Sequence, residues 1–394
     1  MRPSVSTLIV VAAWLLAAPV ASAEECTAAV VSAGGSADGA PLLWKNRDTD
    51  TLSNKLVWVD EQPFDYLCLA NAGSASGRTC WAGLNAVGFG IINTVAYNLP
   101  DVDGEMADLE GGIMADALRT CRTVDDFERY LAANLGPELG SLANFGVVDG
   151  ADGAAVFEVH NHGFARLDAA AGPDGRLVVT NFARTGTANE GAGYLRFERA
   201  TALFAALAPQ RPAVRTILQR FSRDLGHTLL DHPELDELAN QPASPPRWIS
   251  SRDCIDRPDT SATVVIAGRR AAAPATLWVI PGEPLTAIAV PVWVEAGTSP
   301  AALWQGDEAE MWRESLRVRR LLRPASEGHK GDYLDLTRLD NADGTGWLPA
   351  LLGTERQILD RTAAFLAEPH GAAELAAFQE QMASLALATL RRIR

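Results

Sequence analysis

The chain has 394 residues and a mass of 42.0 kDa, with 47% hydrophobic and 21% charged residues. This is the balance of a globular protein and excludes a mainly disordered or fibrous one. The net charge is −15 and the pI near 4.9, and no basic run is dense enough to neutralise a phosphate backbone, so nucleic acid is not an expected partner.

Residues 1–23 read as a secretory signal: Arg2, an apolar run from Leu8 to Val20, and the small-residue ending Ala21-Ser22-Ala23. A lipoprotein signal does not fit, because Glu25 and not a small residue precedes Cys26. No later segment supplies the roughly 20 uninterrupted apolar residues of a membrane span. The expected location is periplasmic or secreted, without a membrane anchor.

After the signal the pattern is β-rich. Thr27–Ala33 and Pro41–Lys45 form a hairpin across Gly34-Gly35 to Asp38-Gly39, followed by short strands at Leu56–Val59, Phe64–Ala70, Thr79–Leu84 and Phe89–Val95. One sheet is therefore expected to be nearly complete by residue 100. Helical spacing runs from Ala107 to Asn134, where Thr123-Val124-Asp125-Asp126 resembles a capping box opening a second helix. Strands return at Leu142–Val148, Ala154–His160, Phe164–Leu167 and Arg176–Asn181. A helical block follows over Ala192–Leu225, then a Pro-rich link at Gln241–Pro246, then strands at Ala262–Ala267, Thr276–Ile280 and Ala287–Trp293. So many consecutive strands without crossovers fit two antiparallel sheets covered by helices better than a parallel βαβ sheet. The fold class is α+β, a four-layer αββα sandwich over 26–299 with a mainly helical C-terminal region, 300–394, packed on it.

An exported chain with five cysteines leaves at least one unpaired. Cys68 and Cys80 flank the loop Asn71–Gly77 and are expected to pair; Cys121 with Cys254 would be a long-range pair. Cys26 is then the leftover thiol, which points to chemistry or to intermolecular pairing, the alternative being a buried, inert residue.

The chain has no G-x-S-x-G, H-E-x-x-H or Walker motif. His160 and His162 share a strand face but lack an evident third metal ligand. Leu339–Gly344 resembles half a calcium loop, with Leu339 where the first ligand belongs, and is read as a turn.

Cys26-Thr27, followed a hairpin later by Trp44-Lys45-Asn46-Arg47-Asp48, resembles the N-terminal-nucleophile cysteine hydrolases. These include choloylglycine hydrolase, penicillin V acylase, the acid ceramidase group and, most closely, the acyl-CoA:6-aminopenicillanic acid acyltransferase group. The resemblance continues at Gly83–Asn93, at Ala143–Gly146 with Val156–Glu158, and at Leu177–Asn181, and covers roughly 26–295. It implies a mature chain that begins at Cys26, with Glu24-Glu25 as a short propeptide whose removal is autocatalytic or left to an aminopeptidase. The implied reaction is hydrolysis of a linear, non-peptide amide C–N bond, or acyl transfer to another amine, on a small-molecule substrate and without a metal or organic cofactor.

The chemistry of the residues supports this reading. A thiol of pKa about 8.5 needs a base, and a freed α-amine of pKa about 7.7–8.0 is one. Asp48 would hold that amine through a charge-assisted hydrogen bond, the alternative being a solvated turn acid. Asn181 matches the family's oxyanion donor; Asn93 is a second candidate, with Asn85 or a backbone N–H as alternatives. The family's arginine is replaced by Lys45, with Arg47 two residues on, which keeps the charge and loses the bidentate fork. Arg257 matches a late arginine or forms a loop salt bridge. Two rival readings are a catalytically silent binding module that retains Glu24 and Glu25, and a thiol redox protein, which the missing C-x-x-C motif disfavours.

Overall fold

The computed structural model describes residues 25–103, 107–269, 273–325 and 328–394; the signal segment 1–23 and Glu24 lie outside the described residues. In chain order the elements are β1 (Thr27–Val31), β2 (Leu42–Asp48), β3 (Asn54–Val59), β4 (Tyr66–Asn71), β5 (Ala82–Asn85), β6 (Gly90–Val95), α1 (Glu110–Thr120) and α2 (Val124–Asn134). Then come β7 (Leu142–Val148), β8 (Ala154–His160), β9 (Gly163–Asp168), β10 (Arg176–Val179), α3 (Tyr194–Ala205), α4 (Val214–Gln219), β11 (Trp248–Ser250), β12 (Thr260–Ala267), β13 (Thr276–Ile280) and β14 (Val290–Val292). The tail contains α5 (Ala301–Trp304), α6 (Glu310–Leu322), β15 (Tyr333–Asp335), α7 (Leu336–Leu339), α8 (Leu348–Phe365) and α9 (Ala372–Leu390).

Two antiparallel sheets carry the fold, one in the order β10-β1-β2-β12-β13-β14 and one in simple sequence order from β3 to β9. Side-chain alternation sets the layers. Along the buried strand β4, Leu67 and Leu69 join the core between the sheets, whereas Tyr66, Cys68 and Ala70 join the cluster under α1 and α2. On β7 Gly146 lets the sheets approach, since a Cβ there would stand 2.9 Å from Val30 Cγ2. The outer face of the other sheet is covered by α3, α4 and the tail: Trp44 packs edge-on against Phe204, and Trp312, Leu351 and Leu387 share its core. The result is an αββα sandwich of the α+β class.

Several boundaries match the sequence reading closely. Thr123 Oγ1 accepts from Asp126 N at 3.1 Å while the Asp126 carboxylate accepts from Thr123 N at 3.0 Å, the expected capping box opening α2. The expectation of one sheet nearly complete by residue 100 is incorrect: β1 and β2 belong to one sheet and β3–β6 to the other. Alternation is read strand by strand and cannot say which sheet a strand joins when both faces are buried. The pairing of β11 with β15 was not anticipated; each strand is three residues long.

Cys68 and Cys80 are bonded across the β4–β5 connection, with Cα atoms 5.3 Å apart. Cys121 and Cys254 are not bonded to each other. Cys121 lies under α1 in the cluster outside the β3–β9 sheet and Cys254 in the core of the other sheet, so the sandwich itself separates them. Burial pushes the Cys121 thiol up to about 11 and that of Cys254 higher still. Alkylation of the denatured, non-reduced protein should therefore label three thiols, with Cys121 and Cys254 unreactive in the native state. A single labelled thiol would restore the long-range bridge.

Candidate active site

The oddity that marks the site is a run of polar residues in a central strand. Lys45, Asn46, Arg47 and Asp48 are all 2% exposed or less, on a strand flanked by β1 and β12. Buried polar groups need partners, and the two faces of β2 supply different ones. Lys45 shares a face with Ala28 and spans to the other sheet, donating to Asn93 Oδ1 at 2.6 Å and Trp81 O at 2.9 Å. Arg47 donates to Asn54 and sits over the Trp81 ring, 5.0 Å from its centroid. On the opposite face Asn46 donates to Ser222 O and Ile255 O and accepts from Thr263 Oγ1.

Cys26 immediately precedes β1 and is 4% exposed. Continuing the β1–β10 and β1–β2 registers places it opposite Asn181 and Arg47, with Glu25 opposite Asp48. Its backbone N–H donates to Asn181 Oδ1 at 2.9 Å. Asn181 is held by a bridge to Ala192 and donates its own NH₂ to Val95 O at 3.0 Å. The loop carrying it is tied to the β3–β9 sheet by Asn144, which donates to Thr180 O and Phe182 O, and by Glu158, which accepts from Arg184 N and Thr185 N.

Arg196, in the first turn of α3, completes the cluster and was not found from the sequence. It is 1% exposed. Nη1 donates to Cys26 O at 2.7 Å and Thr27 Oγ1 at 2.9 Å; Nη2 donates to Glu25 Oε2 at 2.7 Å and Asn181 Oδ1 at 3.0 Å. Gly193, at φ +81°, caps this helix, and a Cβ there would lie 2.7 Å from Arg196 Nη2. The available signal was a cation at the helix end that disfavours cations, three residues after the end of Gly191-Ala192-Gly193. Arg257 joins the cluster: its Nη1 donates to Glu25 Oε2 at 2.8 Å and stands 3.8 Å from Asp48 Oδ2.

Of the residues singled out in the sequence, Cys26, Asp48, Asn181 and Arg257 are thus gathered around one point. Lys45 and Asn93 form a pair linking the sheets, and Arg47 packs on Trp81. Asn85 is committed elsewhere, donating to Leu118 O and Cys121 O and accepting from Val87 N and Phe89 N. His162 pairs with Asp103 at 3.0 Å. Among the described residues no group of three or more His, Cys, Asp and Glu side chains is placed to hold a metal ion. In the Leu339–Gly344 segment Asn341 Oδ1 accepts from Asp343 N, making the turn.

Asp48 is 1% exposed and accepts from Thr260 Oγ1 at 2.7 Å. Burial raises its pKa from 3.8 to about 7, against the opposing pull of Arg257 and Arg196. The folded chain thus binds this proton more tightly than the unfolded one, and the resulting stabilisation is lost as pH rises from about 4 to about 7. In a Cys26→Ala background, Asp48→Asn should gain stability relative to Asp48 over this window, on the order of 4 kcal/mol at pH 8 at 1.36 kcal/mol per pH unit. Denaturant unfolding at pH 5 and pH 8 tests it; a gap that does not grow with pH would mean that the arginines fully compensate the buried charge.

No family model and no curated protein matches the chain. Among solved structures it is similar to an N-acylethanolamine-hydrolyzing acid amidase ortholog from Caenorhabditis elegans, at 13% identity and TM-score 0.40, over 61% of this chain and 92% of that one. It is also similar to a conjugated bile acid hydrolase from Clostridium perfringens, at 12% identity and TM-score 0.39, over 65% and 89%. A third is penicillin V acylase from Agrobacterium tumefaciens, at 14% identity and TM-score 0.36, over 68% and 86%. At these values the chemistry rests on the residues described above.

Proposed function

We propose that the chain is an exported N-terminal-nucleophile amidohydrolase that cleaves linear, non-peptide amides through a thioester on Cys26, with water or a second amine as acyl acceptor. The observation that carries this reading is the Cys26 nitrogen, buried and held on Asn181 Oδ1 at 2.9 Å within a cluster of Asp48, Arg196 and Arg257. An ordinary backbone N–H at the start of a strand needs no such surroundings. An α-amine that must act as a base does.

Processing comes first. The Cys26 thiolate attacks the Glu25 carbonyl carbon, the Glu25–Cys26 C–N bond breaks, and the thiol proton passes to the departing nitrogen. Water then hydrolyses the Glu25 thioester, releasing the propeptide carboxylate and restoring the thiol. In turnover the freed amine takes the thiol proton, the thiolate attacks the substrate amide, the amine product leaves with that proton, and water or an amine resolves the thioester. Asp48 balances the ammonium formed during transfer. The single disulfide among the described residues suits an oxidising compartment, and no helix among the described residues is long and apolar enough to cross a membrane.

The roles of the asparagines follow from where their donors point. Asn181 presents its oxygen to Cys26 and donates one N–H of its amide to Val95 O, so on this reading it orients the nitrogen. Asn93 has its oxygen on Lys45, and we take its NH₂ as the side-chain donor candidate.

Active enzyme should therefore begin at Cys26, and Cys26→Ala should be inactive; active protein whose N-terminus still reads Glu25-Cys26 would refute the mechanism. Asn93→Ala should slow single-turnover acylation by roughly 10²–10³, the range for one lost oxyanion donor, without moving the pH profile. Asn181→Ala should instead shift the acid limb of kcat/KM, because the amine loses its acceptor. An unmoved limb together with an Asn93→Ala rate within about threefold of wild type would return the oxyanion role to Asn181 or the backbone.

A further inference from the structure

The propeptide is itself a bound acyl donor, and its side chain is held as a ligand would be. On the reading above, on which this inference rests, the first carbonyl that Cys26 attacks belongs to Glu25, so the Glu25 side chain lies on the acyl side of the scissile bond. Its Oε2 accepts from Arg196 Nη2 at 2.7 Å and from Arg257 Nη1 at 2.8 Å. The arginine side chains are 1% and 7% exposed and that of Glu25 is 23% exposed, so the carboxylate is the solvent-side member of a buried clamp. Arg257 Nε is also buried, with no hydrogen-bond partner among the described residues.

Removal of Glu25 changes the charge balance. The clamp keeps both guanidiniums, loses the carboxylate they share and gains the α-amine of Cys26, leaving Asp48 as the acid beside it, with Asp259 and Asp253 also acting on Arg257. Two buried cations without that anion are costly, and a carboxylate arriving in the same place restores short, charge-assisted hydrogen bonds. Arginine is also the cation best shaped for carboxylate recognition. The vacated position opens toward solvent and sits at a fixed distance from the nucleophile, set by the length of a glutamyl side chain.

We infer that mature enzyme binds, in the Arg196–Arg257 clamp, a carboxylate at the far end of the acyl group. The preferred substrates are then monoamides of short dicarboxylic acids of glutaryl length. In such an acyl group the carboxylate is separated from the scissile carbonyl as it is in Glu25. The amine portion is not specified by this site. Hydrolysis releases the dicarboxylate and a free amine, so a reaction that acylates amines with an activated dicarboxylic acid would supply the substrate.

Anilides tested on protein whose N-terminus is Cys26 separate the possibilities. Glutaryl anilide should be cleaved with a kcat/KM at least about 100-fold above pentanoyl anilide, the uncharged analogue of the same length. Pentanoyl 4-aminobenzoate, with its carboxylate on the amine side, should show no such gain. Arg257→Leu should cut the glutaryl advantage at least tenfold and Arg257→Lys should retain part of it, with pentanoyl anilide reporting any general damage to the site. Equal rates for glutaryl and pentanoyl anilides would overturn the inference, as would a preference confined to the aminobenzoate. If no anilide is cleaved the hydrolase reading falls, and calorimetric titration decides the clamp separately: glutarate binding that uncharged pentanamide does not match, weakened by Arg257→Leu, supports it, and equal or absent binding refutes it.

Discussion

A guanidinium held at 1% exposure in the first turn of a helix survives only if acceptors are brought to it from elsewhere, because both burial and the helix dipole oppose its charge. Arg196 meets that requirement with oxygens from Glu25, Cys26, Thr27 and Asn181. Those residues come from the start of β1 and from the loop after β10, which are adjacent because β1 and β10 are paired. The same contacts fix the Cys26 carbonyl and, through Asn181, the Cys26 nitrogen. One buried cation thus sets the conformation of the backbone on both sides of the Cys26 Cα. Gly193 is part of the arrangement, since a side chain there would occupy the space of the guanidinium.

The sandwich gives this cluster its rigidity. Lys45 crosses between the sheets to Asn93, and Asn144 and Glu158 tie the Asn181 loop to the β3–β9 sheet. A carboxylate with a pKa raised to about 7 beside two arginines indicates how strongly burial weighs here. Such a group costs folding stability at neutral pH, and a site that tolerates the cost has a use for the charge. With Glu25 in place its carboxylate is shared by two guanidiniums, Arg196 and Arg257; the proposed maturation would remove it.

Much of this was legible in the sequence. The run Lys45-Asn46-Arg47-Asp48 stood out beside Cys26-Thr27, and turn residues separated the strands well enough to predict two antiparallel sheets. The assignment of strands to sheets was not legible, because β1, β2 and most of β4 are buried on both faces and carry no polar alternation to orient them. Cys121 and Cys254 could be paired on paper because nothing in their spacing records that they lie on different sides of the sandwich. Arg196 was hidden among other arginines, since its partners lie 15 to 171 residues away. The direction in which Asn181 presents its amide depends on Val95, a neighbour across the sheets that no local pattern identifies.

The central claim is that Cys26, at the head of the mature chain, carries the acyl group during turnover. Acid quenching within the first turnover, followed by intact and peptide mass analysis, tests it directly. The account predicts a chain starting at Cys26, heavier by one acyl group on the Cys26 sulfur, with the adduct removed by neutral hydroxylamine as a thioester is. Turnover with no adduct on Cys26, or an adduct on another residue, would contradict it.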